Sequence, residues 1–185
     1  MPAFAGMTYT SFMPGPLIVT ADFSPNDFAW LEGLRRAHYP PELNRVPVHL
    51  TMFQGLPPSA AEEVRQQLAL HVAGPPPRAT IAGLMNLSGG VAFRVVSDAL
   101  ESIREAIADH FHGMLCAPDA AGWRPHITIQ NKVPPRQAKA LLDELDRDFR
   151  PRPLGISGLA VHRYRGGPWE TLATCKFRGT SSSRP

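Results

Sequence analysis

Cysteine is scarce in this sequence. Its two thiols, Cys116 and Cys175, lie in neither a C-x-x-C pattern nor any other metal-binding spacing. A cysteine-rich zinc site is therefore not expected. The default expectation is a pair of buried thiols in a reducing compartment, and a disulfide between them is left open.

Long apolar runs are also missing. No segment approaches the roughly 18 apolar residues that a membrane-spanning helix needs. No basic residue precedes the first apolar stretch, so the N-terminus lacks the pattern of a secretory signal peptide. We therefore expect a cytoplasmic protein with no membrane association. Because no coiled-coil pattern is present, we also expect a monomer.

A strong charge of one sign is absent as well. The 19 basic and 16 acidic residues give a formal net charge of only +3. The arginines are scattered rather than gathered in a basic track of the kind that long nucleic acids need. A small nucleotide or an oligonucleotide end is therefore the expected partner. The chain has 185 residues, 43% of them hydrophobic, which suits one domain or two small lobes with a packed core.

Two short apolar stretches each carry a histidine and a threonine two positions apart. Side chains alternate between the faces of a strand, so His49 and Thr51 are expected to share one face. The same holds for His126 and Thr128 in the second stretch. The neighbouring residues that anchor the opposite face are apolar, namely Leu50, Met52, Ile127 and Ile129.

The likeness of the two stretches extends past the motif. Pro57-Pro58 and Pro134-Pro135 follow the two histidines at the same distance, and a helical pattern follows each pair. This shared register indicates an internal duplication. Two copies predict a two-lobed domain rather than a solenoid.

The order of elements predicts an α+β fold with mainly antiparallel sheets and helices on the outside. After each motif strand comes a helix and then two strands joined at a glycine pair, Gly89-Gly90 or Gly166-Gly167. Each motif strand is then expected to face a central cleft between two lobes.

The predicted boundaries follow from capping, glycine and proline signals. Residues 1–13 are expected to form a loose lead-in, 14–178 a single domain, 114–122 a mobile loop and 179–185 a disordered tail. The predicted strands lie at about 17–21, 47–53, 78–87, 91–96, 124–131, 153–163 and 168–177. The predicted helices run from Ser24 to about Ala37, from Ser59 to about Val72, from Ser97 or Asp98 to Gly113, and from Pro135 to about Phe149.

Two histidines that face each other can perform acid–base chemistry near neutral pH, because the pKa of an unperturbed imidazole is about 6.5. The neutral imidazole removes a proton from water or a hydroxyl, and the charged one protonates the leaving oxygen. The two threonine hydroxyls can donate hydrogen bonds to phosphate oxygens, where charge gathers in the transition state. This arrangement suits phosphodiester cleavage without a metal or cofactor.

The stretches His49-Leu50-Thr51-Met52 and His126-Ile127-Thr128-Ile129 resemble the paired H-x-T-x signatures of the 2H phosphoesterase superfamily. This superfamily includes the 2′-5′ RNA ligase and cyclic nucleotide phosphodiesterase branch. The resemblance covers about 15–178 and implies a bilobal fold with two pseudo-symmetric lobes and a central cleft. It implies that the histidines are the acid–base pair and that the threonines bind phosphate. It also implies that His49 protonates the leaving 3′-oxygen of a 2′,3′-cyclic phosphate while His126 activates water. No metal is implied.

Other residues are weaker candidates for substrate binding. Phe53 and Gln130 follow the threonines by two positions and are expected on the same face. Phe53 either stacks on a base or packs at the rim of the core, and Gln130 either contacts the substrate or is solvated. The candidates for a basic cleft edge are Lys132, Arg94 and Arg165, with solvated surface charges as the alternative. Tyr164 and Trp169 either form an aromatic wall or pack within their strands.

Among the five other histidines, His71, His110 and His112 lie on predicted helices, and His162 lacks a threonine partner in its strand. We interpret them as structural or surface residues. The sequence as a whole predicts a phosphoesterase that acts on a cyclic phosphate or a 2′-5′ phosphodiester of a nucleotide or RNA end. Reversible 2′-5′ RNA ligation and non-catalytic binding of nucleotides or RNA ends are the alternatives. The intact set of two histidines and two threonines favours an enzyme.

Overall fold

The computed structural model of the protein describes residues 15–179. The strands in this range are β1 (Leu17–Phe23), β2 (Leu50–Leu56), β3 (Arg78–Asn86), β4 (Val91–Val96), β5 (His126–Gln130), β6 (Arg152–Arg163) and β7 (Glu170–Lys176). The helices are α1 (Pro25–His38), α2 (Ala61–His71), α3 (Asp98–His110), α4 (Ala117–Ala120) and α5 (Pro135–Arg147). Among the described residues, no helix is long and apolar enough to cross a bilayer. The predicted lead-in and, apart from Gly179, the predicted tail lie outside the described residues.

The strands form one antiparallel sheet in the order β1-β2-β5-β4-β3-β6-β7. Because β6 also pairs with β1, six strands close on themselves and β7 extends the sheet beyond β6. The length of β6 makes this possible. Its first part, Arg152–Gly155, pairs with β3, and its remaining residues, Ile156–Arg163, pair with β1. The predicted α+β class with antiparallel pairing is confirmed.

Each motif strand is followed by a helix and two strands, as the sequence predicts. β2 leads into α2, β3 and β4, and β5 leads into α5, β6 and β7. The sheet that they build is continuous. The description of the domain as two pseudo-symmetric lobes therefore stays a prediction.

Local chemistry decides where the helices begin. The Ser24 hydroxyl accepts a hydrogen bond from the backbone N–H of Asp27 and caps α1, as predicted. The predicted start of the second helix at Ser59 is wrong. Pro58–Ala60 forms a 3-10 turn, and α2 begins only at Ala61.

One hydrophobic cluster fills the space between the helices and one face of the sheet. The motif strands contribute Leu50 and Ile127, both fully buried. The helices contribute the fully buried side chains of Leu31, Val64, Leu68, Leu100 and Ile107. Because successive strand residues face opposite ways, the neighbours of Leu50 and Ile127 point away from the helices.

Segment 114–122, expected to be a mobile loop, contains α4 and is attached to β2. The Asp119 carboxylate is buried and accepts hydrogen bonds from the backbone N–H groups of Gln54 and Gly55. The thiol of Cys116 donates to the same carboxylate at 3.2 Å. A buried carboxylate needs such donors. These bonds hold the segment beside the first motif strand. Both cysteines of the protein are free and half-buried rather than buried.

Candidate functional site

The two motif strands meet at the backbone pair of Leu50 and Ile127. The pairing is antiparallel, so its register sets His49 opposite Thr128 and Thr51 opposite His126. All four side chains are half-buried. The structure therefore brings the four predicted residues together on the face away from the core. Their catalytic role stays a prediction.

Both motif strands carry a β-bulge at the residue after the threonine. The pairing register skips Met52 in β2 and Ile129 in β5. A bulge interrupts the alternation of side chains, so the next residue also faces the core. Phe53 is 0% exposed and Gln130 is 2% exposed. The expectation that these two residues share the face of their threonines is wrong.

The two catalytic candidates present their imidazoles in the same way. Nδ1 of His49 donates to the carbonyl oxygen of Pro47 at 2.7 Å, and Nδ1 of His126 donates to that of Arg124 at 2.8 Å. A carbonyl oxygen only accepts, so each Nδ1 carries a proton. In the neutral state of each ring, the lone pair therefore lies on Nε2. Nε2 is the atom left to exchange a proton with a ligand.

Burial lowers the pKa of His49 to about 4, and the hydrogen bond to Pro47 offsets only part of this effect. The nearby charge of Arg35 and the imidazoles of His162 and His126 lower this pKa further. A cation at His49 would be poorly solvated and close to other positive charges. His49 is therefore neutral at neutral pH in the free protein.

A buried arginine that the sequence analysis missed supports the second motif. Arg35 on α1 is 3% exposed, and its Nη1 donates to the backbone oxygen of Thr128 at 2.7 Å. Its Nε donates to Oδ1 of Asn44 at 2.9 Å, and its guanidinium lies over the Tyr39 ring. Burial lowers the pKa of Arg35. Its position four residues after Leu31, on the buried stripe of the helix, was the available signal.

A second buried arginine supports the first motif in a similar way. Arg104 on α3 donates through Nε to the backbone oxygen of Met52 at 3.3 Å. Its Nη2 donates to the backbone oxygen of Asp119 at 2.6 Å, and its guanidinium lies over the ring of Phe53. Each motif strand thus accepts a hydrogen bond from a buried arginine, Arg104 of α3 for the first motif and Arg35 of α1 for the second. Phe53 has a packing role in this arrangement.

The three basic candidates lie in different surroundings. Arg94 pairs with His126 across β4 and β5, so the two residues share one face, and Nη2 of Arg94 donates to the backbone oxygen of Ala82 at 3.2 Å. Arg165 lies on the turn between β6 and β7, where its Nε donates to Glu170 at 2.6 Å. Lys132 is exposed in the turn after β5, with a positive φ of 61°. Of the three, Arg94 is the one that the strand register sets beside a motif histidine.

His162 and Trp169 form an aromatic contact with the first motif. The Trp169 ring centroid lies 4.6 Å from that of His49 and 5.4 Å from that of His162. His162 has two threonine partners, with Nε2 at 2.9 Å from Thr20 Oγ1 and Nδ1 at 3.0 Å from Thr171 Oγ1. His162 has no threonine partner in its own strand, as the sequence indicates, yet the structure gives it two on neighbouring strands. Its partners come from other strands, and only the pairing of β7 with β6 could have indicated Thr171 in advance.

The site thus holds two imidazole Nε2 atoms and two hydroxyls on one face, with Arg94 on the neighbouring strand. Such a set can bind an anion and move a proton on either side of it. Within residues 15–179, no three His, Cys, Asp or Glu side chains are grouped closely enough to hold a metal ion.

Comparison with known proteins identifies one family. A sequence model described as the 2'-5' RNA ligase superfamily matches residues 23–168, a range that includes both motifs. This match confirms the resemblance drawn from the motifs. No curated protein matches the sequence at a significant level.

Several solved structures share the fold at low sequence identity. TT0787 of Thermus thermophilus has a TM-score of 0.60 and 16% identity, over 89% of this chain and 98% of its own. E. coli LigT, solved with 3'-AMP, has a TM-score of 0.57 and 17% identity, over 90% and 99%. The same protein solved with NADP+ has a TM-score of 0.57 and 18% identity, over 89% and 98%. At these identities the likeness shows the fold.

Proposed function

Since this chain belongs to the 2'-5' RNA ligase superfamily, we propose that it is a phosphoesterase for nucleotides or RNA ends. Its substrate is a 2′,3′-cyclic phosphate or a 2′-5′ phosphodiester, and its reaction is hydrolysis. One observation carries the proposal: the register around Leu50 and Ile127 gathers His49, His126 and both motif threonines on one face.

The proposed reaction is a displacement at phosphorus with one proton taken and one proton given. A neutral imidazole removes a proton from water through Nε2 while the water oxygen bonds to phosphorus. The bond from phosphorus to the leaving ribose oxygen breaks, and the other imidazole, which is charged, gives its Nε2 proton to that oxygen. A cyclic phosphate plus one water thus becomes a phosphomonoester, and the two histidines exchange charge states.

We assign the base role in hydrolysis to His49 and the acid role to His126. The support is the pKa of His49, which at about 4 leaves a lone pair on Nε2 at neutral pH. This assignment reverses the one that the family resemblance implies, in which His49 protonates the leaving 3′-oxygen. The two assignments predict different pH–rate profiles.

We propose that Thr51, Thr128 and Arg94 bind the phosphate. The two hydroxyls alternate with the imidazoles across the strand pair, so they can donate to the non-bridging oxygens between them. Arg94 adds a positive charge beside His126. Hydrogen bonds to a charged group of this kind contribute roughly 1.5–3 kcal/mol each.

A nucleotide is the proposed ligand class for two reasons. E. coli LigT, which shares the fold, has been solved with 3'-AMP and with NADP+. The small net charge of +3 also suits a small nucleotide or an RNA end better than a long duplex.

The test is hydrolysis of 2′,3′-cyclic nucleotides and of a short RNA with a cyclic-phosphate end, in excess chelator, with the 2′- and 3′-phosphate products resolved. We expect turnover with a single phosphomonoester product. If the protein cleaves 2′-5′ linkages and not these cyclic phosphates, its substrate is the 2′-5′ phosphodiester of the proposal. Joining of RNA ends without hydrolysis would indicate a ligase. Binding without turnover of either class would replace the proposal with a binding module, and loss of turnover in chelator would overturn its metal-free mechanism.

A further inference from the structure

A pocket of about 320 Å³ opens directly beside the first motif. Val48, the residue before His49, lines one of its walls, and Trp169 lines another. Because the Trp169 ring also contacts the His49 ring, the pocket and the motif share one wall. The volume lies at the lower end of the range for small-molecule sites in proteins.

The pocket lies on the same face of the sheet as the motif side chains. Thr20 of β1 is the strand partner of Thr51, so β1 continues this face outward from β2. Asp22 lies two positions further along β1 and therefore on the same face. A ligand held at His49 can reach Asp22 along this face.

The pocket is lined by aromatic rings, by the Asp22 carboxylate and by the cationic side chains of Lys176 and Arg45. Phe28 is 38% exposed although its side chain is wholly apolar, and it lines the pocket together with Trp169. The Asp22 carboxylate also lines it and is 28% exposed. Lys176 Nζ lies 3.6 Å from this carboxylate, which leaves carboxylate lone pairs free for another donor.

We propose that this pocket binds the base of the substrate nucleotide and that Asp22 makes it favour guanine over uracil. This inference rests on the proposed function, because the phosphate must be held at His49 for the base to reach the pocket. In a 2′,3′-cyclic nucleotide the base lies one sugar ring from the phosphate. When the phosphate is held at His49, the base can therefore occupy the neighbouring pocket.

The functional groups of the pocket fit a base better than a second phosphate. Exposed aromatic rings stack on bases, whereas Asp22 repels a phosphate and partly neutralises Lys176. A carboxylate accepts the parallel N1–H and N2–H groups of guanine together. Uracil offers a single N3–H between two carbonyl oxygens that the carboxylate repels. Guanine is therefore favoured over uracil, because it offers two N–H donors to the carboxylate and uracil offers one.

His162 gives the pocket a rigid inner wall. Both of its ring nitrogens are bonded to threonine hydroxyls, and its ring packs on Trp169. The imidazole is thereby fixed in one orientation and supports the indole from behind. His162 is a positioning residue for the proposed base site.

The test compares five substrates: the four 2′,3′-cyclic nucleotides and methyl riboside 2,3-cyclic phosphate, which has no base. For the unaltered protein we expect kcat/KM to be about tenfold higher for guanine than for uracil. Asp22→Asn should abolish this preference and leave the base-free substrate within about twofold. Phe28→Ala should lower kcat/KM for all four nucleotides by roughly tenfold but not for the base-free substrate. Leu70→Ala, at a position 65% exposed on α2, is the control for all five.

Equal kcat/KM for the guanine and uracil substrates of the unaltered protein would overturn the base site. So would a loss of kcat/KM in Asp22→Asn and Phe28→Ala that is as large on the base-free substrate as on the nucleotides. Either result would leave the phosphoesterase proposal intact. If none of the five substrates is turned over, the cyclic-phosphate class of the proposed function fails separately from the base site. Calorimetric titration with 2′-GMP and 2′-UMP then decides the base site. Tighter binding of 2′-GMP that is lost in Asp22→Asn supports it, and equal binding of both nucleotides overturns it.

Discussion

Trp169 packs its indole ring against the imidazole of His49, with the two ring centroids 4.6 Å apart. The tryptophan belongs to the turn before β7, and the histidine lies directly before β2, so the contact joins distant parts of the chain. The indole covers the imidazole, and burial is the largest cause of the low pKa of His49. The acid–base properties of the first motif therefore depend on a residue outside it.

Replacement of this indole should change the acidity of His49. In Trp169→Ala, water reaches the imidazole, and we expect the pKa of His49 to rise from about 4 toward its ordinary value. The measurement is an NMR titration of the His49 ring. Tyr164→Ala, an exposed position on the same turn, is the control and should leave this pKa unchanged. An unaltered pKa in Trp169→Ala would show that the indole does not control it.

Loss of either motif histidine should remove most of the activity. General acid or base catalysis contributes about 10²–10⁴-fold per group, so His49→Ala and His126→Ala should each lower kcat by that factor. Thr51→Ala and Thr128→Ala each remove one hydrogen bond to the charged phosphate and should lower kcat/KM by roughly 10- to 100-fold. His110→Ala, which removes an exposed imidazole bonded to Glu63, is the control. Wild-type turnover in His126→Ala would refute the two-histidine mechanism.

The pH–rate profile should reveal which histidine is the base. The acid limb of kcat/KM reports the pKa of the base in the free protein. With His49 in that role, protonation of the base should lower kcat/KM only near the pKa of about 4. An acid limb at about pH 6.5, the ordinary value for an imidazole, would assign the base role to another group.

Stability should decrease in acid because His49 resists protonation in the folded state. Its pKa is about 4 when folded and about 6.5 when unfolded. Above pH 6.5 the ring is neutral in both states. As the pH falls from 6.5 to 4, only the unfolded state gains the proton, and up to about 3 kcal/mol of stability is lost. Urea unfolding at pH 7 and pH 4.5 should show a smaller loss for His49→Gln, and an equal loss would contradict the shift.

Replacement of the two arginine candidates, Arg94 and Arg165, should lower kcat/KM to different extents. Arg94 lies beside His126, and Arg94→Ala should lower kcat/KM by roughly 10- to 100-fold because a charge-assisted bond to phosphate is lost. Arg165 is occupied by Glu170, so Arg165→Ala should change kcat/KM by less than about twofold. Steady-state kinetics on one cyclic nucleotide provides both values. The reverse order would move the phosphate site toward the β6–β7 turn.

The strand pattern and the structure agree up to the threonine of each motif and differ after it. Alternation along two short strands correctly predicted that each histidine shares a face with its threonine. The same rule failed at Phe53 and Gln130, because the register skips Met52 and Ile129. A bulge arises from the pairing of a strand with its neighbour, so the strand's own sequence does not reveal it.

The sequence by itself determined the order of the seven strands and of the four longer helices, the four polar motif residues and the apolar residues that anchor them. These features depend on contacts within a few positions. Only the tertiary structure decided the surroundings of His49. Thr20 bonds His162 across 142 residues, and Trp169 and Arg35 reach the motifs from a turn and a helix elsewhere in the chain. Such contacts form only when the sheet closes through β1 and β6 and brings distant strands side by side. The environment that lowers the pKa of His49 is therefore a property of the closed sheet.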